Sequence, residues 1–113
     1  NSLIFDADGR PLLVIISGAH RADLFKLAAL TDSRNVTRAD PGFVRMHTGQ
    51  PIGGVSPLGH PKPLSTLVDV TLSRQRTIWA SAGHPQFVFN TSYDEILRIT
   101  AGTAGEVGEA PAE

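Results

Sequence analysis

Apolar positions in this chain fall into short runs, none longer than a strand, divided by stretches of glycine, proline and small polar residues. Ser2 to Phe5 predicts a strand, Asp6-Ala7-Asp8-Gly9 a turn, and Pro11 to Ile16 the hairpin partner, since a glycine in a short polar loop between two apolar runs reverses the chain. Leu12 to Ile16 is apolar on both faces and predicts a central, fully buried strand. After Ser17-Gly18-Ala19-His20 the period changes: Leu24, Leu27, Ala28 and Leu30 share one face of a helix predicted over Arg21 to Leu30.

A short strand is predicted over Asn35 to Arg38. Asp40-Pro41 then supplies an N-cap and a proline at the first helical position, for a helix running to Thr48 and stopped by Gly49. Leu64 to Val70 re-enters the core as a strand through Leu67 and Val68. Thr77 to Ser81 and Gln86 to Phe89 predict two more strands on either side of Ala82-Gly83-His84-Pro85, with Trp79, Phe87 and Phe89 assigned to the core by their alternation. Ser92-Tyr93-Asp94-Glu95 is a capping box, so a helix follows through Ile96, Leu97 and Ile99 to Gly102. Ala104 to Val107 predicts a last strand, and Gly108 to Glu113 should fray. Short strands interleaved with three short helices predict one α+β domain with a mixed sheet.

Composition narrows the class. At 113 residues and 41% apolar content the chain makes one domain with a real core. No apolar run approaches the roughly 20 residues that span a bilayer. Without cysteine there is no disulfide framework, thiolate nucleophile or cysteine-based zinc site. A formal net charge of −1 argues against an indiscriminate nucleic-acid coat, although eight of the ten basic residues are arginines, which suit phosphate. The chain opens at Asn1 in what reads as mid-strand, so a preceding segment is expected.

The candidate chemistry centres on Gly53-Gly54-Val55-Ser56-Pro57-Leu58-Gly59-His60, flanked by Pro51, Pro61 and Pro63. Such a run cannot be helix interior, and it presents peptide N–H groups with an imidazole at its end. Either a connector or the wall of a pocket for a small polar ligand fits these residues. His20 and His84 lie in similar small-residue loops after apolar runs, where binding groups collect, while His47 near a helix end reads as structural. His20, Asp23, His60 and His84 have no spacing with a metal-site geometry of its own. No nucleophile elbow, phosphate loop or dinucleotide fingerprint occurs. What remains is a pocket rich in backbone donors without a protein nucleophile, suited to an acyl group and its oxyanion.

The ordered set Asn1-Ser2-Leu3, Asp8-Gly9, Ser17 to Arg21 with Asp23, Lys26 to Leu30, Ala39-Asp40-Pro41, Thr48-Gly49, Ile52 to His60 and Ser81 to Pro85 resembles the YbaK or aminoacyl-tRNA-editing domain family, also called the prolyl-tRNA synthetase-associated domain. The resemblance covers nearly the whole chain, and Thr-Gly followed by Gly-Gly-Val-x-Pro-x-Gly-His is its specific part. It implies a compact single α+β domain, here residues 1–113, around a mixed, barrel-like β-sheet flanked by short helices. It implies a cytoplasmic deacylase that hydrolyses the ester of mischarged tRNA, such as alanyl- or cysteinyl-tRNA for proline, with no metal or cofactor. The partners it implies are the 3′-terminal adenosine and aminoacyl group of tRNA, and prolyl-tRNA synthetase.

Carried over by position, the resemblance implies catalytic roles for Gly53, Gly54, Pro57, His60 and Asn1. It implies substrate contacts for His20, Val55, Ser56, Gly59, Ser81, Gly83 and His84. Asn1 stands where many members carry a lysine important for editing; its amide donates a hydrogen bond but brings no charge. The second reading is therefore an accessory module that binds tRNA or an aminoacyl group with little or no turnover.

Overall fold

Two apolar faces on one strand require two covers, and the chain supplies them. In the computed structural model, which describes residues 1–18, 20–51, 55–58, 60, 62–84 and 87–109 (backbone alone at His84), the strand β2 (Arg10–Ile15) is the centre of a five-stranded sheet. It pairs antiparallel with β1 (Ser2–Ala7) and parallel with β4 (Ser65–Asp69). β3 (Val36–Arg38) adds to β1 antiparallel, and β7 (Thr103–Gly105) adds to β4 in parallel. The sheet is thus mixed. A separate hairpin joins β5 (Ile78–His84) to β6 (Phe87–Thr91).

Strand alternation sorts the core into two halves. Ile4, Leu13, Ile15 and Val68 face one side, where they meet Val44, Val55, Leu72, Ile78 and Ile96. Phe5, Leu12, Val14, Ile16 and Leu67 face the other, against Leu27, Val36 and Val107. The helix α1 (Leu24–Thr31) covers this second face, through Leu27. The helices α2 (Pro41–Thr48) and α3 (Tyr93–Thr100), with Ile78 of the hairpin, cover the first.

Helix ends follow local rules. The Asp40 carboxylate accepts the Phe43 N–H at 2.8 Å, and Gly49, at φ 69°, closes α2. Ser92 accepts the Glu95 N–H at 3.2 Å to open α3. That helix ends one residue earlier than expected, on Ala101 in the left-handed region. α1 starts at Leu24 and not at Arg21, because residues 21–23 pair with the C-terminal segment instead. The Glu109 N–H donates to the Arg21 carbonyl and the Asp23 N–H to the Val107 carbonyl, both at 2.7 Å. The Asp23 side chain then caps the helix. Gly108 and Glu109 are thereby tied down where fraying was expected.

The aromatic assignment needs correction. Trp79 is 64% exposed and Phe87 63% exposed, so neither is core. Ile78 and Ala80 take the inward positions of β5, which leaves Trp79 on the outer face with Val88.

Candidate functional site

The loop after α2 is stitched together by short side chains. Thr48 Oγ1 donates to the Val44 carbonyl at 2.7 Å and accepts the Gln50 N–H at 3.0 Å, so the chain turns tightly out of the helix. Gln50 then reaches forward: its Oε1 accepts the Ser56 N–H at 2.6 Å, and its Nε2 donates to the Leu58 carbonyl at 3.4 Å. Ser56 Oγ accepts the Leu58 N–H at 3.1 Å. Val55, Ser56 and Pro57 are all buried, Val55 in the core beside Ile4 and Ile78.

The same glutamine meets the second predicted segment. A Cβ placed on Gly83 would lie 3.7 Å from the Gln50 side-chain carboxamide, and Gly83 itself sits at φ 94°. Its N–H donates to Ser81 Oγ at 3.4 Å. Gln50 therefore joins Ser56 and Gly83, residues separated along the chain and both expected at the site. Gly53, Gly54 and Gly59 lie outside the described residues, as does the side chain of His84.

His60 is half-buried, with both ring nitrogens shielded from water and without a hydrogen-bond partner among the described residues. Burial pushes its pKa below the ordinary histidine value; the nearby Ser56 carbonyl opposes this but does not reach hydrogen-bond geometry. His47 packs at a tilt against Phe43, with ring centroids 4.4 Å apart and planes at 51°, in keeping with a structural role.

Asn1 and His20 come together among the described residues. Both line a groove of about 540 Å³ with Arg21, Phe25, Arg38 and Glu109. The apolar floor of the groove is Leu3, Phe5 and Ile16, on the face of the sheet covered by α1, whereas Val55 packs on the opposite face. A larger cavity of about 690 Å³ near the β1–β2 turn contains none of the predicted residues. Its Asp8 carboxylate is committed to the Arg34 and Asn35 N–H groups, so size alone does not make it the site.

One polar centre was not anticipated. Asp69 ends β4 and is 1% exposed, yet its carboxylate has four donors. Oδ1 accepts the Thr71 N–H at 3.0 Å and Thr71 Oγ1 at 2.8 Å; Oδ2 accepts the Ser17 N–H at 3.1 Å and lies 2.9 Å from His20 Nδ1. Burial alone would raise its pKa, but these hydrogen bonds outweigh it and hold the carboxyl below its ordinary range. The only sequence signal was an acid closing the apolar run Leu67-Val68.

Comparison with known proteins places this geometry. The sequence model of the aminoacyl-tRNA editing domain matches residues 1–99. A proline–tRNA ligase of Geobacillus kaustophilus is 32% identical over 68 residues, 60% of this chain and 12% of that protein. The proline–tRNA ligase of Lactobacillus helveticus is 26% identical over 112 residues, 93% of this chain and 20% of that protein. The chain thus spans only a small part of these relatives' length. A crystal structure provisionally described as a trans-editing enzyme for prolyl tRNA synthetase superposes with a TM-score of 0.92 at 34% identity, over 97% of this chain and 69% of that one.

Proposed function

The chain belongs to the aminoacyl-tRNA editing domain family, and from that premise we propose that it is an aminoacyl-tRNA deacylase, hydrolysing the ester of mischarged tRNA in trans. The observation that carries the reading is the match of the family over residues 1–99, joined to a fold shared at a TM-score of 0.92 with the trans-editing structure. Alanyl- or cysteinyl-tRNA for proline is the proposed substrate, in line with the proline–tRNA ligase relatives. Prolyl-tRNA synthetase is the proposed partner.

In this reading the Gly53–Pro57 loop holds the aminoacyl group, excludes larger side chains and supports the developing oxyanion with backbone N–H groups. Gln50 anchors that loop to Ser56 and sets it beside Gly83. His60 and His84 line the rim, and Ser81 contributes its hydroxyl. Attack by the vicinal ribose hydroxyl would only shift the acyl group between ribose oxygens, so water completes the hydrolysis. It adds to the carbonyl carbon, the acyl C–O bond breaks, and the ribose oxygen leaves with a proton from the water. The free amino acid departs without a covalent enzyme intermediate. Asn1, an amide where many members carry lysine, favours the second reading of a binding module with little turnover.

One experiment separates the two. A panel of mischarged tRNAs is assayed for hydrolysis and for binding on the wild type and on Gly54→Val. The deacylase reading expects turnover by the wild type and its loss in a folded Gly54→Val variant. Binding without turnover on every substrate establishes the module instead, and unimpaired hydrolysis by the variant removes the loop from the mechanism.

A further inference from the structure

Gln50 starts from a fixed base. The buried Thr48 accepts the Gln50 N–H on its Oγ1 at 3.0 Å, and the same hydroxyl lies 3.2 Å from the Gln50 carbonyl. The backbone at position 50 is thereby fastened to the end of α2, and the side chain spans outwards from there.

Its partners settle how the carboxamide is turned. A backbone N–H only donates and a backbone carbonyl only accepts. The atom on the Ser56 N–H at 2.6 Å is therefore Oε1, and the atom 3.4 Å from the Leu58 carbonyl is Nε2. Both contacts require the same orientation, and a flipped amide would lose both. Ser56 has little room to yield. It is buried, its Oγ holds the Leu58 N–H, and Val55 beside it belongs to the core. Residues 51–55 are thus bracketed by a helix end and a buried valine, with Gln50 as a strut between the two.

The same carboxamide meets β5. A Cβ added to Gly83 would have Gln50 Cδ at 3.7 Å, and Nε2 and Oε1 each at 3.9 Å, as its three nearest neighbours. A point nearest to the carbon and equally far from both heteroatoms lies over the flat face of the amide, not at its edge. These are ordinary contact distances, so the amide plane stands off Gly83 by the thickness of one methyl group. Gly83 sits in the irregular stretch of the hairpin, where the register of β5 against β6 shifts between Ser81 and His84. Gln50 holds one segment with the edge of its amide and faces the other with the plane.

Those are the two segments to which the proposed function assigns the acyl group. We propose that Gln50 is a positioning residue that sets the separation of the Gly53–Pro57 loop from the Ser81–Gly83 segment, and so the largest acyl side chain that the site admits. The inference rests on the deacylase reading and deepens it. Glutamine has the length to reach Ser56 and the carbonyl to accept its N–H. Asparagine is one methylene short. Glutamate keeps the reach and the acceptor and gives up only the longer contact to Leu58. A strut acts on the dimensions of a site, so its loss should change discrimination between acyl groups more than turnover of the smallest one.

The test uses 3′-aminoacylamino-adenosines, stable amide mimics of a charged tRNA end, carrying alanyl, 2-aminobutyryl, valyl or leucyl groups. They are bound to the wild type, Gln50→Asn, Gln50→Ala and Gln50→Glu, beside deacylation of alanyl- and valyl-tRNA by the same proteins. The wild type should favour alanyl over valyl. Gln50→Asn and Gln50→Ala should narrow that preference about tenfold, the lower worth of one methylene in a fitted pocket, chiefly by gaining on the valyl group. Gln50→Glu should keep it. Hydrogen exchange at the Ser56 amide should quicken about fivefold in Gln50→Ala, the worth of its hydrogen bond, while the amides of β1 and β2 stay protected and show the fold intact. A uniform loss across all acyl groups, or a preference unchanged in Gln50→Asn, overturns the proposal. A wild type that selects by size through Gln50 yet hydrolyses no charged tRNA removes the deacylase reading and leaves the strut. A wild type with no preference, in binding or in hydrolysis, removes the strut even where alanyl-tRNA is hydrolysed.

Discussion

Gln50 Oε1 accepts the backbone N–H of Ser56 at 2.6 Å, a side chain closing the loop that the sequence marks as the acyl pocket. Gln50→Ala should therefore loosen residues 51–58 without unfolding the sheet. The expected loss is about 1 kcal/mol of stability, the net worth of such a bond, with faster proteolysis confined to the loop. Gln50→Glu keeps the acceptor and should retain most of the protection. Equal proteolysis of Gln50→Ala and wild type would show that the loop holds itself.

Gly83 takes φ 94° with the Gln50 carboxamide 3.7 Å from its missing Cβ. Gly83→Ala should cost about 1 kcal/mol or more, because a left-handed residue with a side chain is strained whatever the space around it. Thermal unfolding should drop by several degrees, and an unchanged midpoint would count against the turn geometry.

Asp69 makes stability depend on acid. Its carboxyl is held below the ordinary value, so its contribution is complete above about pH 4, the unfolded value, and is lost as pH falls through the lowered folded value. Asp69→Asn should be destabilised by about 1–3 kcal/mol at neutral pH. It should also show a shallower fall in stability below pH 4 than the wild type. Urea unfolding from pH 2.5 to 7 reads both.

His60 acts in a higher window with the same sign. Its folded pKa lies below the ordinary histidine value, so the unfolded chain binds the extra proton first. The stability it contributes is full above about pH 6.5 and declines as pH falls toward the folded value. His60→Gln should flatten the stability curve below about pH 6.5. A wild-type curve already flat there would mean that the ring is not shielded in solution.

Exposure and burial make a direct contrast. Trp79→Thr should change stability by no more than about 0.5 kcal/mol, as a surface substitution does. Phe5→Ala, in the fully buried core beneath α1, should cost about 3–5 kcal/mol. Chemical denaturation of both variants checks the pair.

Much of the fold was legible because it is local. The Asp40 and Ser92 caps bond to amides three residues away, and the β1–β2 turn closes on its own residues, so short windows of sequence contain the whole cause. Alternation in β5 revealed two faces but not which one met the core, and Trp79 went to the wrong side. Ile78 and Ala80 decide that, through packing against residues far along the chain. The candidate site divides in the same way. The Gly-Pro loop is visible as a run of special residues, whereas Gln50 as its clamp and Asp69 as a hub depend on partners brought together by the fold. Ser17 and His20 stand 52 and 49 positions from Asp69, beyond the reach of any periodicity.

The parallel pairing of β2 with β4 sets a schedule for the molecule. Leu12 meets Ser65 only after the chain has closed a long circuit holding both early helices and the Gly-Pro loop. Non-local pairing of this kind slows the search for the native state. Until β4 docks, His20 lacks the Asp69 carboxylate that it meets in the folded sheet. A nascent chain can thus form the first hairpin and its helix early, yet the imidazole gains its fixed orientation only when the last central strand arrives. Completion of the sheet and orientation of that ring are one event.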